Sequence, residues 1–330
     1  MAIKKEAYLS LSAMLRAREP RLLNAERAGR MLDASSAEEA GKLLADCGYG
    51  DLGGMNASQL EQVLTQRRNA IFDELTGLAP DPGVVDLFRV KYDIHNIKTI
   101  LKAEAMGVDP HSLLSFSGRI PPEKLLEAHR EEQTRDLPPI LASAMQEAGE
   151  LLARTSNPQL ADFVLDRACF DEMLRIAGEV GNPFILGYVR LQIDCANLKS
   201  AVRTLRMGKD AEFLRLALFQ GGSVDPDRIL AAADGESLAA LFQSGALEKA
   251  AALTAETCQG GAMTAFERSV DNALNTYLRS AKLVSYGPEP LCAYLAAVEG
   301  EITAVRMILT GRLSGVSAET IRERLRDLYA

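Results

Sequence analysis

The chain has 330 residues, is 47% hydrophobic and 25% charged, and carries 37 Lys and Arg against 45 Asp and Glu, a formal net charge of −8. That balance argues against non-specific binding of nucleic acid, whose affinity depends on neutralising phosphates, and 5% aromatics with no Trp argues against a base-stacking platform. No run approaches the roughly 18 apolar residues of a membrane span, and residues 1–6 lack the apolar core of a signal peptide, so a cytoplasmic protein is expected.

Leu, Ala, Glu and Arg dominate and β-branched alternation is nearly absent, which predicts an all-α chain long enough for two or three domains. In chain order, Ser36 followed by Ala-Glu-Glu reads as a helix N-cap. Gly48-Tyr49-Gly50 and Gly53-Gly54 read as a turn, because no strand precedes them as a phosphate cradle requires. Helical segments begin near Asn69, Phe163 and Phe266, and each is followed by a Pro/Gly or Gly/Asn break. A second helix then follows each break, at 90–107, 191–208 and 298–315. Residues 131–139 form a polar loop. Ser317 reads as another N-cap, and residues 321–329 as a charged amphipathic helix whose apolar edge is Ile321, Leu325 and Leu328.

The second helices align without gaps, so they constitute an internal repeat. Their closing glycines, Gly107, Gly208 and Gly315, stand 101 and then 107 residues apart, a domain-sized period. Four columns are apolar in every copy: Val90/Leu191/Val298, Ile94/Cys195/Ile302, Ile97/Leu198/Val305 and Leu101/Val202/Leu309. Their spacing of 4, 3 and 4 places them on one helix face as a core stripe. An acid column (Asp93/Asp194/Glu301) and a base column (Lys98/Lys199/Arg306) lie off that stripe. Asn96 and Asn197 match, but Ala304 stands in the third copy. The expected division is three tandem, similar helical domains, 1–107, 108–208 and 209–330. A pseudo-threefold closed body and an open arc both satisfy it.

A search for chemistry finds no site. His95, His111 and His129 are too scattered for a metal centre. Cys47, Cys169, Cys195, Cys258 and Cys292 show no CxxC pair and read as buried thiols. No nucleophile elbow, zinc-protease or P-loop pattern occurs, and the acidic pairs read as solvated helix faces. The expectation is therefore no catalytic residue, no cofactor and no metal. One basic face stands out on the second repeat helix: Lys199, Arg203 and Arg206 share a side, Lys209 follows and Arg190 precedes. A solvated flank is one reading; the other is a face for an acidic partner, and Lys199, Arg203, Arg206 and Lys209 are the candidate partner-binding residues. The first copy has only Lys98 and Lys102 there, and the third only Arg306.

The strings YDIHNIKTILKA at 92–103, YGPEPLCAY at 286–294 and EITAVRMILTGRLSG at 301–315 resemble the C-subunit family of V/A-type ATPases and ATP synthases, to which the eukaryotic d-subunit is related. RAREPRLL at 16–23 and the 48–50 turn resemble it too, and the likeness runs from about residue 6 to 330. It implies a pseudo-threefold funnel on the cytoplasmic face of a membrane rotor ring. Such a funnel receives the central-stalk subunits and couples ATP chemistry to H⁺ or Na⁺ transport without catalytic residues of its own. The family supplies no motif for the partner contacts, and the polar segment 131–139 departs from its pattern. The alternatives are a helical scaffold of another assembly and an enzyme built on acidic clefts.

Overall fold

The computed structural model of the chain describes residues 3–131 and 133–330 and is helical, with no strand among them. The reading of residues 1–2, and of Glu132 in the polar loop, lies outside those residues. An amino-terminal group comprises α1 (Leu9–Arg18), α2 (Ala25–Asp33), α3 (Ala37–Lys42) and α4 (Ala57–Leu78). The first repeat helix is α5 (Gly83–Met106), followed by α6 (Pro122–Arg130), α7 (Pro139–Thr155) and α8 (Pro158–Val180). The second is α9 (Pro183–Arg206), followed by α10 (Ala211–Ala217), α11 (Pro226–Ala231), α12 (Gly235–Phe242), α13 (Glu248–Cys258) and α14 (Met263–Arg279). The third is α15 (Pro288–Leu313), followed by the short α16 (Ala318–Arg324).

Local signals set these ends. Ser36 accepts the Glu39 N–H and Ser317 the Thr320 N–H, as the sequence predicts; each such cap is worth about 1 kcal/mol. Proline stands in the first turn of α9 and α15, where its missing N–H costs nothing. Gly107, Gly208 and Gly315 close the three repeat helices at φ 65°, 62° and 72°, a left-handed geometry that a Cβ disfavours. The carboxy-terminal helix is shorter than expected: α16 stops at Arg324 and residues 325–330 run extended. Side chains of α14 and the turn after it collect that segment's carbonyls, Asn275 at Asp327 (2.6 Å) and Lys282 at Tyr329 (2.8 Å), so the backbone is satisfied without helix. Ile321 and Leu328 are still buried.

All twelve stripe residues are buried. Full burial of such side chains contributes roughly 1.5–3 kcal/mol each. The apolar interior falls into a large cluster over the amino-terminal helices, α5–α8 and α15, and a smaller one between α9 and α10–α14. Leu274 and Tyr277 of α14 pack against both.

The acid column is the main departure from the sequence reading. It lies off the core stripe, yet Asp93, Asp194 and Glu301 are 0%, 4% and 1% exposed. Each accepts at least one backbone N–H from a chain segment that crosses the helix. Asp93 takes those of Arg119 and Ile120 (2.8 and 3.0 Å), and Asp194 those of Ser223 and Val224 (2.8 and 3.2 Å). Gly118 and Gly222 precede these pairs, and a Cβ on either would come within 2.4 Å of the carboxylate, so the close approach needs glycine. The matched asparagines do the same work one turn on. Asn96 exchanges two hydrogen bonds with the Ser115 backbone, and Asn197 two with Phe219.

Glu301 receives its partners from the other end of the sequence: the Leu23 N–H at 2.6 Å, the Tyr49 hydroxyl at 2.8 Å and Arg67 at 3.0 Å. Arg67 stacks on the Tyr49 ring and donates to the Gly48 carbonyl, so the glycine-rich segment is indeed a turn, docked on α15. The base column follows the same scheme. Lys98 pairs with Asp166 of α8 (2.7 Å), Lys199 with Asp271 of α14 (3.0 Å) and Arg306 with Glu61 of α4 (2.5 Å). Helix α8 lies along α5, α14 along α9 and α4 along α15. The repeat helices also touch one another. Phe88 stacks on Tyr188, Tyr92 donates to Glu299 at 2.8 Å, and Asn182 donates to Glu289 at 2.9 Å.

Truncating Glu301 to Ala strands an N–H, a hydroxyl and a guanidinium in the interior, and should cost about 3–5 kcal/mol of stability measured by urea unfolding. Glu301→Gln, which still accepts, should cost less. A pH effect follows from Arg119, which links Asp93 (2.7 Å) to Glu172 of α8 (2.7 Å). Burial pulls the Glu172 carboxyl upward, but bonds to Arg175 and Arg119 outweigh it and hold the group below its ordinary value of 4.5. Its contribution is present above that value and lost as pH falls through the lower folded one. Glu172→Gln should therefore be less stable at neutral pH, yet lose less stability than the wild type between about pH 5 and pH 3.

Candidate partner interface

The structure aligns Lys199, Arg203 and Arg206 along one side of α9 and turns them toward α13 and α14. Lys199 reaches Asp271 at 3.0 Å, and the same carboxylate takes Arg326 at 2.8 Å. Arg203 reaches Glu267 at 2.5 Å. Arg206 donates to the carbonyls of Gly261 (2.6 Å) and Thr257 (3.3 Å) at the end of α13. Lys209 stands apart: it is exposed and meets no carboxylate within ion-pair distance among the described residues. So three of the four candidate residues are answered inside the chain. Arg190 is exposed as well.

What the sequence reading missed is the complementary ladder. Glu267 and Asp271 of α14 have the four-residue spacing of Lys199 and Arg203. Asp162 and Asp166 of α8 bear the same relation to Lys98 and Lys102, with Lys102 at 2.7 Å from Asp162. Two opposite charges at matched spacing, repeated in two copies, are a readable sign of a helix pair. These pairs are partly exposed, so each is worth about 0.2–1 kcal/mol. The sequence reading also passed over apolar surface. Met106 at the end of α5 and Val108 beyond it, Met207 after α9, and Leu313 at the end of α15 with Val316 beyond it are all exposed.

Elsewhere the polar groups serve packing. His95 lies 3.2 Å from the Leu113 carbonyl and His129 2.6 Å from Glu104, far from any shared centre. Among the described residues no three His, Cys, Asp or Glu side chains are grouped to hold a metal ion. The five cysteines are free; burial pushes the Cys169 thiol up to about 12, which keeps it protonated at neutral pH. No helix among the described residues is long and apolar enough to cross a membrane.

The family model described as "ATP synthase (C/AC39) subunit" matches residues 11–324. The chain belongs to the ATP synthase (C/AC39) subunit family. Relatives extend over its whole length. The C-subunit of the V-type sodium ATPase of Enterococcus hirae is 26% identical over 326 residues, covering 98% of this chain and 99% of the relative. The C-subunit of the A-type ATP synthase of Methanocaldococcus jannaschii is 25% identical, covering 99% of this chain and 88% of the relative. The C-subunit of the V-type ATP synthase of Thermus thermophilus is 23% identical over 63% of this chain and 67% of its own length. The C/AC39 family is thus one of V- and A-type rotary ATPase subunits, as the resemblance of residues 92–103, 286–294 and 301–315 implies.

For this C/AC39 chain a double-mutant cycle on Lys199→Ala and Asp271→Ala should return a coupling of about 0.2–1 kcal/mol in urea unfolding. A cycle on Arg119→Ala and Glu172→Ala should return several times that, because Glu172 is fully buried and Arg119 is largely so.

Proposed function

We propose that this chain is the non-catalytic coupling subunit of a V/A-type rotary ATPase or ATP synthase. In this reading it joins the central-stalk subunits to the membrane rotor ring on the cytoplasmic face and carries torque between ATP chemistry and H⁺ or Na⁺ transport. The observation that carries the reading is the whole-chain match to C-subunit relatives in two kinds of rotary complex. The three sequence units, 1–107, 108–208 and 209–330, then form a pseudo-threefold funnel. Two features support that shape. The same acid and base columns fasten each repeat helix, and α15 is fastened by the amino-terminal segment. The repeat helices also contact one another through residues in their first halves.

A torque-bearing coupler must not yield internally. Buried carboxylates holding backbone N–H groups suit that need, since breaking one exposes unpaired groups to a low-dielectric interior. Partner contact falls to the surface left free, which includes Lys209 and the exposed residues at the ends of the repeat helices, Met106, Met207 and Leu313. No cofactor, metal or nucleic acid has a part in this role.

The test is reconstitution of the complex in vesicles with and without this chain, with ATP hydrolysis and ion uptake measured together. Omitting the chain should leave hydrolysis and abolish ATP-driven ion uptake. Ion uptake at the full rate without the chain would refute the coupling role.

A further inference from the structure

Two of the three repeat helices end with an arginine that closes another helix. Arg206, in the last turn of α9, donates to the Thr257 and Gly261 carbonyls at the end of α13. Arg312, in the last turn of α15, donates to the Ala34 carbonyl just after α2. The chemistry is general: the last carbonyls of a helix have no partner inside it and carry partial negative charge, so a guanidinium suits them.

Those two arginines stand one column apart in the repeat, and the first copy has no arginine in its last turn. Ala105 of α5 occupies the position of Arg206, and beside it, between α5, α7 and α8, opens a cleft of about 850 Å³. The ion pairs fix the register between copies. Lys98–Asp166 matches Lys199–Asp271, and Lys102–Asp162 matches Arg203–Glu267, so α8 and α14 correspond at one constant offset. At the ends of α7 and α13 the left-handed cap Ser156 corresponds to the left-handed Gly260, whose carbonyl Arg206 also reaches at 3.5 Å. Leu152 and Ser156 both line the cleft. Ser156 ends α7 in the left-handed conformation at φ 52°, and its carbonyl takes no hydrogen bond among the described residues. Leu101, Met106 and Pro158 add apolar wall, and Met106 is 73% exposed. Asp162 and Glu104 stand among the lining residues, with Lys102 and His129 beside them.

We propose that this cleft is a docking site for an arginine carried by a partner protein. Its guanidinium takes the place that Arg206 fills in the second copy, and its aliphatic stem lies along Leu101, Met106 and Leu152. Arginine suits the site because its planar fork reaches two carbonyls at once while its stem covers apolar surface. The inference rests on the internal repeat alone and goes beyond the coupling role.

The test uses the full chain with ¹³C-methyl methionine, titrated with N-acetyl-arginine amide. The Met106 methyl resonance should shift saturably with a millimolar dissociation constant. The neutral isostere N-acetyl-citrulline amide should bind at least about tenfold more weakly. Ala105→Arg should fill the cleft from within and abolish the Met106 response, and Arg206→Ala should open a second site seen at the Met207 methyl. Absence of a saturable Met106 shift, an equal response to citrulline, or a response retained in a folded Ala105→Arg variant would overturn the proposal. If Ala105→Arg does not fold, the citrulline comparison and the Arg206→Ala variant decide it.

Discussion

A buried carboxylate that accepts backbone N–H groups from a crossing segment is the constraint on which the rest of this architecture depends. It occurs at the same column of each repeat helix, as Asp93, Asp194 and Glu301. Leaving such a group unpaired in the interior is expensive, so each carboxylate dictates where a crossing stretch of chain must pass. Once that stretch is pinned, the neighbouring long helix is placed as well. Its ion pair with the base column then adds a smaller, more exposed contribution.

The third copy shows what this constraint can do. Nothing following α15 resembles the Gly118-Arg119-Ile120 or Gly222-Ser223-Val224 segments; Glu301 is instead met by Leu23, Tyr49 and Arg67. Arg306 is met by Glu61, and Arg322 of α16 by Asp33 at 2.8 Å. Residues nearly 300 positions apart in sequence are therefore joined by the same chemistry that joins neighbours in the other two copies. A body fastened in this way has a fixed interior. Its remaining polar and apolar surface includes Lys209 and the ends of the repeat helices.

Much of this is legible in the sequence. The helical class, the caps at Ser36 and Ser317, the glycine ends of the repeat helices and the twelve-residue core stripe all follow from local periodicity and punctuation, and the structure agrees. The acid column is read only as lying off the core stripe, because a lone Asp or Glu there is usually hydrated. Its burial depends on N–H groups that arrive from 26 to 30 residues away, or from the other end of the chain, and no window on the helix reveals them. The basic face of α9 illustrates the converse. Its spacing is read correctly, but the residues that answer it, Glu267 and Asp271, lie on another helix. The extended end at 325–330 escapes a sequence reading because its apolar spacing suits a helix, while Asn275, Arg279 and Lys282 supply tertiary partners for its carbonyls.

The equivalence of the three carboxylate clamps is tested most directly by amide hydrogen exchange resolved to single residues. In the intact protein it compares the N–H groups of Leu23, Ile120 and Val224 that the clamps hold. All three amides should exchange only through large-scale unfolding, with protection near that of the slowest core amides. A Leu23 amide that exchanges as fast as the surface turns, while Ile120 and Val224 stay protected, would contradict the claim that the amino-terminal segment completes the third repeat helix.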